Sequence, residues 1–122
     1  MKIRIKGNSV RFRLTKTEVA TFCQAGIYTE TTHFNTQTFT YTLKAKETKE
    51  ILECDFNGNA ITMYLSHDEQ SKWAKSYRVS YESVIKLSNG KELSLLLEKD
   101  FVCLDDRGED ESDNYPNPAT KS

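Results

Sequence analysis

Ile3-Arg4-Ile5-Lys6-Gly7-Asn8-Ser9-Val10-Arg11-Phe12-Arg13-Leu14-Thr15-Lys16-Thr17-Glu18 is the stretch that decides the fold of this chain. Gly7-Asn8 separates two alternating runs, a hairpin signal, because Gly and Asn accept the backbone angles of a tight turn. Val10, Phe12 and Leu14 face one way and Arg11 and Arg13 the other, the period of a half-buried strand. Thr15 followed by Glu18 is a capping box, so a helix should start at residue 16. Gly26 stands where that helix, over about 16–25, would end in a C-terminal cap. Val19 and Phe22 would give its inward face.

The same pattern returns further along. Residues 3–22 lie over residues 54–73 at an offset of 51, without a gap. Gly7-Asn8 meets Gly58-Asn59, and Val10, Phe12 and Leu14 meet Ile61, Met63 and Leu65. Thr15 and Glu18 meet Ser66 and Glu69, and Phe22 meets Trp73. A second capped helix is therefore predicted over about 67–76, anchored by Trp73. Two strands should follow each helix, at about 27–34 and 38–46, then at about 78–87 and 91–99. Ser88-Asn89-Gly90 joins the last pair and is a strong hairpin signal.

The predicted fold class is α+β: a tandem ββαββ repeat with about eight mostly antiparallel strands and two helices. The first copy covers about 1–46 and the second about 51–99. Either a single sheet or a pair of pseudo-twofold half-barrels fits this pattern. Residues 1–103 read as one domain, and residues 104–122 as an acidic, irregular tail that could dock back on it.

A chain of 122 residues holds one modest core. No apolar run approaches the roughly 18 residues of a membrane span. The N-terminal residues alternate charge and hydrophobe, unlike a signal peptide. The expectation is a soluble cytoplasmic protein with no membrane contact. Cys23, Cys54 and Cys103 are odd in number and lack C-x-x-C spacing, which supports neither a disulfide framework nor structural zinc.

Net charge is only −1, yet the ends differ sharply. Residues 1–16 carry Lys2, Arg4, Lys6, Arg11, Arg13 and Lys16 with no acid. Residues 100–113 carry seven acids against Arg107 alone. The hairpin should expose Lys2, Arg4, Lys6, Arg11 and Arg13 on one face. That strip could receive carboxylates of the tail, with Tyr115 and the nearby prolines as anchors.

The run Glu98-Lys99-Asp100-Phe101-Val102-Cys103-Leu104, then Glu109-Asp110-Glu111-Ser112-Asp113-Asn114-Tyr115-Pro116-Asn117-Pro118, resembles the ending of a family of short bacterial proteins of unknown function. The opening, from Met1 to Leu14, also looks like that family's start. The resemblance implies a free-standing bacterial domain of this length. It brings no catalytic residue, cofactor or substrate.

The leading functional reading is a non-enzymatic interaction module using the basic hairpin face, Tyr115 and the acidic segment, with a second copy or another protein as partner. A small enzyme or metal-binding protein with a site near Cys103 is the alternative. Its ligands would come from Asp105, Asp106, Glu109, Asp110, Glu111 and Asp113, whose spacing does not fit an EF-hand loop. Nucleic-acid binding through the basic strip is a third reading, disfavoured by a pI near 6.1 and by inward-facing aromatics. His33 and His67 read as surface residues, and Cys23 and Cys54 as small core hydrophobes. No catalytic residue and no cofactor are expected.

Overall fold

The first turn forms as its sequence demands. In the computed structural model, which describes residues 1–100 and Tyr115, strand β1 (Lys2–Lys6) runs antiparallel to β2 (Ser9–Leu14). Gly7 has φ +54°, and no non-glycine residue described has positive φ. Only the first loop position is left-handed, the type II′ pattern that matches strand twist. Gly58 repeats it at φ +60° between β5 (Leu52–Asn57) and β6 (Ala60–Ser66).

Helix α1 (Lys16–Ala25) is capped at both ends. The Glu18 N–H donates to the Thr15 hydroxyl at 3.4 Å, and the Thr15 N–H donates to the Glu18 carboxylate at 2.9 Å. Gly26, at φ +80°, donates its N–H to Phe22 O at 2.7 Å.

The second helix departs from expectation. One helix over 67–76 is replaced by a single turn, α2 (His67–Gln70), and a 3-10 turn at Trp73–Lys75. The second capping box does not form, because Ser66 makes no side-chain cap. Glu69 instead accepts from the Tyr81 hydroxyl at 3.1 Å. Only Trp73 and Ala74 are apolar across these ten residues, too few for a continuous apolar stripe. Single contacts hold the segment in its place: the Gln70 amide donates to Cys23 O, and the Ala74 N–H donates to Cys23 Sγ at 3.3 Å. The caps should differ in a denaturant titration. Thr15→Ala should cost about 1 kcal/mol and Ser66→Ala only a few tenths, since only Thr15 caps with its side chain. Equal losses would contradict the assignment.

The remaining strands are β3 (Ile27–His33), β4 (Thr38–Lys46), β7 (Ser80–Lys86) and β8 (Glu92–Lys99). They do not join in one sheet, which corrects that option. Two four-stranded sheets form instead, in the orders β1-β2-β8-β7 and β3-β4-β6-β5. Each takes one hairpin from each half of the chain. The central pairs, β2 with β8 and β4 with β6, are parallel, and the outer pairs are antiparallel.

The inner faces and helices share one core. Phe12, Leu14, Tyr81 and Leu97 come from the first sheet, and Leu43, Leu52, Met63 and Leu65 from the second. Val19, Phe22 and Trp73 fill the space between. Phe12 and Tyr41 meet edge-on across the sheets, 6.2 Å between centroids. With its apolar side spent on the core, the first sheet turns its other side to solvent.

Candidate interaction face

The β1–β2 register decides what that outer side presents. Lys2 lies opposite Arg13, and Arg4 opposite Arg11, so like charges face each other in consecutive rows. Like charges directly opposite on paired strands destabilise the pair. The parallel pairing with β8 extends the rows, setting Glu98 beside Arg13 and Leu96 beside Arg11. Antiparallel β7 then sets Ser80 beside Glu98, Glu82 beside Leu96 and Val84 beside Ser94.

The first row is neutralised within the fold. Arg13 gives both Nε and a terminal nitrogen to Glu98 Oε1, at 2.9 and 2.8 Å. Lys2 Nζ lies 3.4 Å from Asp100 Oδ2. Asp100 is itself buried, and its N–H donates to Leu14 O at 2.8 Å.

The second row is only partly neutralised. Arg11 reaches Glu98 only at 3.6 Å, and Arg4 and Lys6 have no ion-pair partner among the described residues. Two shallow grooves follow this face. One, of about 260 Å³, is lined by Lys2, Ile3, Arg4, Arg11 and Arg13. The other, of about 210 Å³, is lined by Arg4, Lys6, Ser9 and Arg11. The five cations read from sequence therefore share one face, with charge compensated at one end and only partly compensated at the other.

Tyr115 is tied to Asp100, the residue that Lys2 meets. Its N–H donates to Asp100 O at 2.7 Å, and its ring packs against the core with Lys99 Nζ 5.0 Å from the centroid. Lys99 is buried, stands 5.9 Å from the Trp73 ring and donates to Ser76 O at 2.8 Å. Burial pushes its ammonium below the ordinary lysine value. The acids Asp105, Asp106, Glu109, Asp110, Glu111 and Asp113, with Cys103 and Arg107, lie outside the described residues. Among the described residues no group of three or more His, Cys, Asp or Glu could hold a metal ion. No described helix is long and apolar enough to cross a membrane.

The other chemistry-bearing residues are occupied elsewhere. Burial raises the Cys23 thiol despite backbone N–H groups from Ala74 and Trp73, and raises the Cys54 thiol to about 11. Both therefore stay protonated and poorly nucleophilic at neutral pH. His33 and His67 are exposed. A charged cluster that the sequence did not signal joins the Met1 ammonium to Glu18, at 2.5 Å, and to Glu30. Burial alone would raise the Glu18 carboxyl, but hydrogen bonds from that ammonium and from Thr15 hold it below its usual value. Glu98, Asp100 and Leu96 were also missed as parts of the face. Only the parallel β2–β8 pairing brings them to it, and no local pattern encodes that pairing.

A model of a family of unknown function, DUF7009, matches residues 1–119. No curated protein and no solved structure matches the chain.

Proposed function

We propose that this chain, which belongs to the family of unknown function DUF7009, is a small non-enzymatic interaction module whose β1–β2 face takes carboxylate-rich protein segments. The under-compensated Arg4–Arg11 pair carries the reading: Arg11 shares the Glu98 carboxylate with Arg13, and Arg4 has no ion-pair partner among the described residues. Two guanidinium groups held side by side cost the free protein stability, and an arriving carboxylate removes the cost while forming paired hydrogen bonds.

We read the two halves of the chain as copies of one ββαββ unit, and that reading strengthens the case. At the offset of 51, Lys2, Arg4, Lys6, Arg11 and Arg13 correspond to Glu53, Asp55, Asn57, Thr62 and Tyr64. The β5–β6 hairpin has the same turn and the same pairing without a single cation at those positions. The hairpin does not need cations in order to form, which favours a role for them outside folding.

The chain's own acidic run, Asp105 to Asp113, is one source of carboxylates. Asp100 and Tyr115, the described residues on either side of that stretch, are joined by a hydrogen bond, and Asp100 lies 3.4 Å from Lys2. Tethering of this kind raises effective concentration. A labelled peptide of residues 105–113 should bind the full chain with an affinity that falls steeply as salt rises. Neutralising the six acids of the chain to Asn and Gln should tighten that binding several-fold. Equal affinity for both proteins assigns the face to an outside ligand alone. Absence of binding to either contradicts the proposal.

A further inference from the structure

We infer that the partner of this face is an acidic protein segment carrying a bulky apolar residue, rather than a bare polyanion. The inference rests on the reading of the basic face given above and adds the β8–β7 half of the same sheet.

A groove of about 310 Å³ crosses that half, and the outward side chains lining it are Ser9, Arg11, Glu82, Val84, Ser94 and Leu96. Strand alternation sends Leu95 and Leu97 into the core and therefore turns Leu96 outward. Val84, on edge strand β7, is 62% exposed. An antiparallel or mixed sheet with one face in water carries polar residues on that face. Leu96 and Val84 break the rule together, one row apart on neighbouring strands. Exposed apolar groups rimmed by polar ones mark recognition surfaces.

The register supplies a spacing. One row reads Arg4, Arg11, Leu96, Glu82 across four strands. Strands lie about 4.8 Å apart, so Leu96 stands on the order of 10 Å from Arg4. An extended segment advances about 3.3 Å per residue, so it would cover this with about three residues. Side chains of an extended segment alternate in direction, so a carboxylate over Arg4 and Arg11 puts a side chain two or four positions on above Leu96 and Val84. Nucleic acid meets this half poorly, since Glu82 repels phosphates and, among the described residues, no aromatic lies on the face to stack with bases. The chain's own run from Asp105 to Asp113 has no apolar residue, so it could answer the cations but not the apolar strip.

The test compares two labelled peptides, Glu-Glu-Ser-Gly-Phe-Leu and Glu-Glu-Ser-Gly-Ser-Ser, on the full chain by fluorescence anisotropy. The apolar peptide should bind about tenfold more tightly, the 1.4 kcal/mol that a partly buried side chain supplies. Val84→Asp, at an exposed edge position, should erase that preference and leave the affinity for the second peptide no higher than before. Leu96→Ser, checked for folding by circular dichroism, should do the same. Equal affinity of the two peptides for the wild type, or a preference that survives both substitutions, overturns the inference while leaving the basic face intact. Failure of both peptides to bind defeats the reading of the basic face as well. Single-stranded DNA that outcompetes the apolar peptide at physiological salt also overturns the inference.

Discussion

Replacing Trp73 with alanine is expected to lower the free energy of unfolding by about 3–5 kcal/mol. The indole is fully buried and meets Tyr81 edge-on at 5.4 Å, within the range where aromatic pairs add to burial. Its Nε1–H donates to Arg78 O at 3.0 Å, so truncation also strands a carbonyl. Lys99 loses an aromatic neighbour at the same time. Domains of this size are stable by only about 5–15 kcal/mol, so the variant should be marginal. In a urea titration its midpoint should fall with little change in slope. A loss below about 1 kcal/mol would mean that the segment is not seated as described.

Trp73 also shows how far the sequence could be read. Its match to Phe22 at the offset of 51 marked it as an anchor, and it is one. The continuous helix expected around it is broken into a short α-helical turn and a 3-10 turn, because anchoring needs one large side chain and a stable helix needs a continuous face. Hairpins were legible, since Gly7, Gly58 and Gly90 sit at turns between alternating runs and all have positive φ. Which strands join in which sheet was not. It depends on β2 pairing with β8 and β4 with β6, contacts between distant segments that no local pattern records. The candidate face was legible by half for the same reason. Period-2 alternation gathered Lys2, Arg4, Lys6, Arg11 and Arg13, but Glu98 and Leu96 arrive only through parallel pairing.

The second large effect concerns Arg4. Arg4→Glu should weaken binding of an acidic peptide by more than tenfold, because it replaces an attractive charge with a repulsive one at the partly compensated end of the face. The same substitution should leave the fold intact or stabilise it by a few tenths of a kcal/mol, since Glu would then face Arg11 across the strand pair. The opposed signs are informative. A residue kept for stability loses stability when it is reversed, whereas a residue kept for binding at a cost to the fold gains it. The matching change in the other hairpin, Asp55→Arg, serves as a control and should leave peptide affinity within about twofold, because Asp55 lies in the other sheet.

The decisive measurement is therefore a pair of numbers on one variant: the unfolding midpoint of Arg4→Glu and its affinity for the acidic peptide, both against wild type. Unchanged or raised stability with binding reduced more than tenfold is the predicted outcome. Unchanged affinity, or a loss of stability that accounts for the loss of binding, would contradict the assignment of this face to carboxylate recognition.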